Sequence, residues 1–115
     1  KDLEVQEVET GLLVRFKVVN TAEEDRRVGG YVHVTGFDEH ASEPGVWTSP
    51  EVKLKDGRPE DYKGGRLFLI RRFKPMEAVL SLEPGGPRPS RLSILIYDRS
   101  GKLIVEHSAD IKDVS

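Results

Sequence analysis

The stretch Leu12-Leu13-Val14-Arg15-Phe16-Lys17-Val18-Val19 decides the fold class of this chain. Every second residue from Leu12 to Val18 is apolar, while Arg15 and Lys17 occupy the positions between them. Successive side chains of a β-strand point to opposite faces, so a period of two predicts a strand with one buried and one solvated face. A helix would need an apolar period near 3.6, which this stretch does not have.

Similar short apolar runs recur along the chain, and most are broken by Gly, Pro or Asp turns. The further predicted strands cover residues 3–9, 28–37, 46–54, 67–74, 78–82, 92–97 and 102–106. Residues 55–65 are predicted to be irregular, and 109–115 to form a tail or a last strand. Seven to eight short strands at this spacing, without a helical stripe, predict an all-β, antiparallel β-sandwich.

Length and composition narrow the range of functions. The chain has 115 residues, which is enough for one domain. It has no Cys, so it can form neither a disulfide nor a thiolate metal site. The formal charge is −2, which favours neither a nucleic-acid binder nor an acidic tail. No apolar run is long enough to cross a membrane, and no signal peptide is visible.

The ends of the chain suggest that it belongs to something larger. It starts at Lys1, and its only methionine is Met76. We therefore expect residues 1–115 to be a single domain that has been processed or excised from a longer chain.

The alternating strands also predict the hydrophobic core. The residues expected inside are Leu12, Val14, Phe16, Val18, Val32, Val34, Leu67, Leu69, Leu92, Ile94 and Ile96. The run 67–70 is apolar at every position, which is typical of a central strand buried on both faces. On the strand 28–37, Tyr31, His33 and Thr35 point away from the face that carries the valines, and His33 is expected to be half-exposed.

Catalytic chemistry has little support in the sequence. There is no Gly-x-Ser-x-Gly motif and no Cys nucleophile, and His33, His40 and His107 are the only histidines. A Ser-His mechanism would need one of them beside a nucleophile and an orienting group. No spacing in the chain indicates such a set, so we expect a protein that is not an enzyme.

One loop groups potential metal ligands. Asp38, Glu39 and His40 are consecutive, and Glu43 follows closely. Such oxygen and nitrogen donors suit zinc or calcium, but adjacent residues seldom all point at one ion, and no EF-hand or paired-histidine spacing is present. A solvated acidic loop is the preferred interpretation, and no metal or other cofactor is expected.

Trp47 is the only tryptophan and lies among Pro44, Gly45, Thr48 and Pro50. An exposed Trp in such a loop can stack on a sugar ring or anchor a partner. A Trp can also plug the end of a sandwich, which is the preferred interpretation. Both interpretations remain open from the sequence.

The most unusual feature is a basic stretch with no acidic residue inside it. Its cations are Lys63, Arg66, Arg71, Arg72 and Lys74. They could pair across strands with the acidic first strand, which carries Glu4, Glu7 and Glu9. Alternatively, Arg66, Arg71, Arg72 and Lys74 form a docking surface for an anionic protein partner. Nucleic acid is a poor candidate, because few aromatic residues interleave with the cations and the domain is net acidic.

The end of the chain resembles a known type of module. The pattern Leu-x-Ile-x-Ile-Tyr-Asp-x-x-Gly-x-Leu-Ile over 92–104 resembles the closing hairpin of immunoglobulin-like or fibronectin-III-like sandwiches. The strand end Phe16-x-Val18-x-Asn20 is similar to bacterial cell-envelope sandwich modules. The Cys…Trp…Cys signature of antibody-type domains is absent.

This resemblance implies a non-catalytic interaction or structural module of a larger bacterial protein. It favours the cell envelope, in a periplasmic or other extracytoplasmic location, and an unidentified protein as partner. The alternative is a ligand-binding domain that holds a carbohydrate against Trp47. Fold resemblance by itself carries no function, so both remain expectations.

Overall fold

The computed structural model describes residues 3–20, 27–38, 46–55, 58–83 and 85–111. Within these ranges the chain is all-β, as the sequence predicts, with one 3₁₀ turn at Tyr62–Gly64. The strands are β1 (Glu4–Val8), β2 (Gly11–Val19), β3 (Val28–Phe37), β4 (Val46–Ser49), β5 (Leu54–Lys55), β6 (Arg58–Pro59), β7 (Arg66–Ile70), β8 (Phe73–Ser81), β9 (Arg91–Asp98) and β10 (Leu103–Asp110).

The longer strands form two antiparallel sheets. The three-stranded sheet has the order β1-β2-β8, and the five-stranded sheet has the order β10-β9-β3-β4. The fifth strand, β7, also pairs with β3. Val34–Phe37 of β3 pair with β4, and Val28–Val32 pair with β7, so the two short strands share one edge of β3. β5 and β6 form a separate two-stranded ribbon.

One hydrophobic cluster joins the two sheets. The three-stranded sheet contributes Leu12, Val14, Phe16, Val18, Met76 and Leu80. The five-stranded sheet contributes Val32, Val34, Phe68, Ile70, Leu92, Ile94 and Ile96. Nine of the eleven residues predicted from alternation are therefore buried in the core. From β7, Phe68 and Ile70 contribute to the core instead of Leu67 and Leu69.

The prediction that Leu67 and Leu69 lie in the core is wrong. Their exposures are 61% and 52%, whereas Phe68 and Ile70 on the opposite face are buried at 2% and 5%. β7 is not a central strand, because β3 is its only partner among the described strands. An edge strand with one covered face buries every second residue, which is what β7 does.

His33, on the outer face of β3, is buried, contrary to the half-exposed state predicted for it. His33 and Thr35 are almost fully inaccessible, at 1% and 0%. The chain between β4 and β7 crosses this face and brings the Tyr62 ring to 5.6 Å from Tyr31, measured between ring centroids. The Tyr97 ring lies 6.1 Å from Tyr62 and 5.7 Å from His33. A small aromatic layer therefore covers the sheet on the side away from the main core.

The segment that builds this cover is more regular than predicted. The sequence predicts an irregular segment over 55–65. In the structure, Lys55 pairs with Arg58, and a 3₁₀ turn follows at Tyr62–Gly64. The Asp61 side chain caps that turn by accepting a hydrogen bond from the backbone N–H of Lys63, at 3.0 Å. This cap places the Tyr62 ring over β3.

Pro75 does not end a strand, although the sequence predicts a break there. β8 runs through it from Phe73 to Ser81, and Pro75 pairs with Lys17 of β2. β8 pairs with β2 alone among the described strands, so its other edge needs no ladder hydrogen bonds. Proline is tolerated in edge strands for this reason.

The hairpin predicted at Asp98–Gly101 is present between β9 and β10. The Asp98 carboxylate accepts hydrogen bonds from the backbone N–H groups of Ser100 at 2.9 Å and Lys102 at 3.0 Å, and from the Ser100 hydroxyl. The Ser100 hydroxyl and these backbone donors hold the pKa of Asp98 below its usual value. Gly101 adopts a φ of +95°, a conformation that favours glycine.

Adjacent residues of β7 offer a direct test of its orientation. Phe68→Ala should lower the free energy of unfolding by about 3–5 kcal/mol, because it opens a cavity in the core. Leu69→Ala, one residue along, should change it by about 0.5 kcal/mol or less, because that side chain is mostly in water. Chemical denaturation of both variants measures the difference. Equal losses would contradict the assignment of inner and outer faces.

Candidate functional site

The basic residues meet where the chain passes from one sheet to the other. Arg71 and Arg72 link the end of β7 to the start of β8. Asn20 holds this link: its backbone N–H donates to the Arg72 carbonyl at 2.7 Å, and its side-chain amide donates to the Arg71 carbonyl at 2.8 Å. The two arginine side chains and that of Lys74 are exposed. We call Arg71, Arg72 and Lys74 the basic corner.

Arg66, the fourth predicted partner-binding residue, is not part of the corner. It begins β7, about 16 Å from Arg71 at the usual rise per residue of a strand. Its guanidinium donates to the backbone carbonyl of Glu77 on β8, at 3.0 Å. Arg66 therefore bridges the neighbouring edges of the two sheets.

The alternative that the basic stretch pairs with the acidic first strand is wrong. β2 lies between β1 and β8 in the three-stranded sheet, and β7 belongs to the other sheet. Glu4 of β1 lies opposite Arg15 of β2 in the strand register. Glu7 forms an ion pair with Arg88. Glu4 and Glu7 thus lie beside Arg15 and Arg88, and β2 separates β1 from β8.

Apolar side chains accompany the cations at this end of the domain. Phe73 and Val19 lie opposite each other in the β2–β8 register and are 58% and 50% exposed. The Lys17 ammonium lies 5.1 Å from the centroid of the Phe73 ring, within the range of a cation–π contact. The sequence between Asn20 and Arg27 contains Glu23, Glu24 and Asp25, which lie outside the described residues. The described part of this surface is basic and partly apolar.

Trp47 lies in β4, opposite Gly36 of β3. It is half-buried and packs against the hydrophobic core. Beside it is an open cavity of about 260 Å³. The cavity is lined by Val46, Trp47, Thr48, Ser49, Pro50, Glu51, Val79 and Ser81. The side chain therefore both packs against the core and borders a cavity with hydroxyl and carboxylate groups.

His33 is the most buried ionisable side chain of the described chain. Its Nε2 lies 2.9 Å from the Tyr62 carbonyl oxygen, which can only accept, so Nε2 carries the proton and donates. Nδ1 is buried and has no hydrogen-bond partner. Burial lowers the pKa of His33 below its ordinary value of 6.5, although the Tyr62 carbonyl and the nearby Asp61 carboxylate oppose the shift.

The other predicted chemical groups are dispersed. His107 is exposed on β10, and His40 lies outside the described residues. Of the acidic loop, Asp38 is described, whereas Glu39, His40 and Glu43 are not. Where the structure describes the chain, no group of three His, Asp or Glu side chains could hold a metal ion. The same part of the chain contains no helix long and apolar enough to cross a membrane.

No protein-family model, no curated protein and no solved structure matches this chain. Function is therefore inferred from the geometry of the chain alone. The sequence located the basic residues of the corner, but it did not reveal Asn20 as their support. An Asn directly after an alternating strand is the one local signal, because such residues often bond to nearby backbone.

His33 predicts how stability depends on pH. Its pKa is about 6.5 in the unfolded chain and lower in the folded one, so the unfolded state binds the proton more readily. The contribution of His33 to the free energy of unfolding is fully present above pH 6.5. It should be lost as the pH falls from 6.5 through the lower pKa of His33 in the folded state. Thermal unfolding between pH 7.5 and 5 measures this loss.

His107→Gln serves as the matched control for this measurement. It removes an exposed histidine and should keep the same pH dependence, whereas His33→Gln should flatten it. A wild-type protein equally stable at pH 7.5 and pH 5 would contradict the assignment.

Proposed function

We propose that this domain is a non-catalytic interaction module of a larger bacterial protein of the cell envelope, and that it docks an acidic partner protein at the basic corner. The observation that carries the proposal is the support of Arg71 and Arg72 by Asn20. The carbonyls of both arginines accept hydrogen bonds from Asn20, and both arginine residues are exposed. The backbone is thus ordered before a partner arrives.

The chemistry of the corner suits carboxylates. A guanidinium group is planar, stays charged, and can hold a carboxylate through two parallel hydrogen bonds. Two adjacent arginines and a lysine also attract an acidic surface over a distance that salt shortens. A small cationic site of this kind contributes to the rate and specificity of docking.

The arrangement of strands supports an immunoglobulin-like sandwich for the module. Two antiparallel sheets share one apolar cluster, and the chain crosses between them from β2 to β3, from β7 to β8 and from β8 to β9. Such folds are common scaffolds for recognition in extracytoplasmic proteins. A chain without Cys is compatible with that setting, because its core needs no disulfide.

A non-catalytic role agrees with the environment of His33. Its Nε2 bonds to a backbone carbonyl rather than to a carboxylate or a hydroxyl nucleophile. The aromatic layer also covers the ring, at 1% exposure, so a substrate has no access to it. General-base catalysis requires that a histidine reach the proton it removes.

The double variant Arg71→Ala/Arg72→Ala tests the docking surface. Exposed ion pairs contribute about 0–1 kcal/mol, so the free energy of unfolding should change by no more than that. Binding to poly-L-glutamate, measured at low salt, should weaken roughly tenfold, because two of the three corner cations are removed.

The double variant Lys53→Ala/Lys55→Ala is the matched control. It removes the same charge from exposed positions in and beside β5 and should bind like the wild type. An equal loss in both double variants would show that only net charge matters. A loss of several kcal/mol of stability in the arginine variant would make the corner structural.

A second candidate function is carbohydrate binding beside Trp47. The half-buried indole borders a cavity with Thr48, Ser49, Glu51 and Ser81, groups that can hydrogen-bond to a sugar while the indole stacks on it. Trp47 is the only tryptophan, so its fluorescence reports directly on this site. A saturable change on titration with soluble oligosaccharides, lost in Ser81→Leu, would favour this function over protein docking. An unchanged spectrum at millimolar sugar would exclude those sugars.

A further inference from the structure

β7 exposes one edge of the five-stranded sheet. Among the described strands it pairs with β3 alone, through the antiparallel register from Val28↔Ile70 to Val32↔Arg66. In an antiparallel pair, only alternate residues direct their N–H and C=O groups toward the neighbouring strand. Every second residue of Arg66–Ile70 therefore directs these groups away from β3, where another strand can reach them.

The other sheet edges carry features that discourage further pairing, whereas β7 shows only a modest length of five residues and one charged residue at its start. β1 has acidic residues at Glu4 and Glu7, and β8 contains Pro75. β10 has a register irregularity between Leu103 and Val105, and β4 has only four residues. Charges, proline, bulges and short length are the usual means by which proteins protect edge strands. Between its first residue and the basic corner, β7 has only Leu, Phe, Leu and Ile.

The outer face of β7 is an apolar surface with an aromatic neighbour. Leu67 and Leu69 are both more than half exposed. Leu67 lies opposite Tyr31, and Leu69 lies opposite Gly29, which has no side chain to cover it. A strand placed along the free edge would bring every second side chain against the two leucines. That contact would remove apolar surface from water.

Charge distinguishes the two ends of this edge. At the start of β7, the guanidinium of Arg66 is hydrogen-bonded to the Glu77 carbonyl. At the other end, two exposed arginines, Arg71 and Arg72, follow Ile70 directly, so this end carries more positive charge. A segment lying along β7 would therefore be favoured when its carboxylates fall beside Ile70 rather than beside Arg66.

We propose that the free edge of β7 binds an extended segment of an acidic partner protein by strand addition. The segment has apolar residues at alternate positions, which contact Leu67 and Leu69, and carboxylates at the end that lies beside Arg71 and Arg72. The proposal rests on the function proposed above and names the form of the partner that the basic corner recognises. Main-chain hydrogen bonds supply affinity in this mode, and the side chains supply specificity.

The probe is a labelled synthetic peptide of about ten residues, with alternating Val and Thr followed by two Glu residues. Matched peptides carry the glutamates at the other end, or carry N-methyl groups on alternate residues that remove one row of N–H donors. Binding is followed by fluorescence anisotropy at low salt. Amide hydrogen exchange measured by NMR shows which β7 residues become protected.

We expect saturable binding of one of the two Glu orientations, with new protection of alternate amides in β7. N-methylation should weaken binding at least tenfold. Leu69→Lys should do the same while unfolding at the wild-type midpoint, whereas Ile104→Lys, at an equally exposed apolar residue of β10, should bind normally. Loss on N-methylation together with β7 protection would establish strand addition.

Three results would overturn the proposal, and they separate it from the function on which it rests. Binding that needs Arg71 and Arg72 but ignores N-methylation and Leu69→Lys would leave the docking function standing and remove strand addition. Absence of binding to both the peptides and poly-L-glutamate would remove both. A wild-type dimer that Leu69→Lys converts to a monomer would show that a second copy of this chain occupies the edge.

Discussion

The structure depends on the double pairing of β3. β9 pairs along one edge of this strand, and β4 and β7 pair in succession along the other. Its inner face supplies Val32 and Val34 to the main core, and its outer face buries His33 under the aromatic layer. Gly30 allows the close pairing, because a Cβ there would lie 2.0 Å from the Tyr97 carbonyl oxygen. A strand held on both edges and both faces has no freedom of register.

The division of one edge between β4 and β7 explains the features that matter for function. The chain leaves the edge of β3 where β4 ends at Ser49, and it returns to the same edge where β7 begins at Arg66. Between these two residues it crosses the outer face of the sheet. The crossing segment supplies Tyr62, whose backbone carbonyl accepts a hydrogen bond from His33 Nε2. Gly65 then approaches so closely that a Cβ would lie 2.5 Å from the His33 Nε2. On its return the chain forms β7, which has β3 as its one partner among the described strands.

The sequence alone predicted the buried side chains correctly in strands where the apolar pattern of the strand itself decides which face is covered. The residues of β2 and β9 that alternation predicts for the core are all buried, although in β9 Leu95 and Tyr97 on the other face are buried too. It failed where a distant segment decides what is covered. His33 is buried because residues far along the chain fold over it. Leu67 and Leu69 lie on the outer face of β7, which the described chain leaves more than half exposed, so an apolar run indicates a strand buried on both faces only when the cover of each face is known.

The functional residues divide in the same way. The cations could be found from the sequence, because residues 63–74 contain five Lys or Arg and no Asp or Glu. The sequence did not reveal which of them are committed to the fold. Arg66 is committed, because it spans the gap between the sheets to reach Glu77. Arg71 and Arg72 are exposed and are supported through their carbonyls, and the supporting residue, Asn20, lies far away in sequence.

These two anchors also explain how β7 stays ordered with a single partner strand. Arg66 holds its first residue to β8, and Asn20 holds the corner directly after its last residue. The five-residue strand is thus fixed at both ends without a second neighbour. An edge strand that is already ordered loses little conformational entropy when another strand pairs with it. The entropic cost of association therefore falls mainly on the incoming segment. The contacts that close the fold at this edge would therefore also favour the strand addition proposed above.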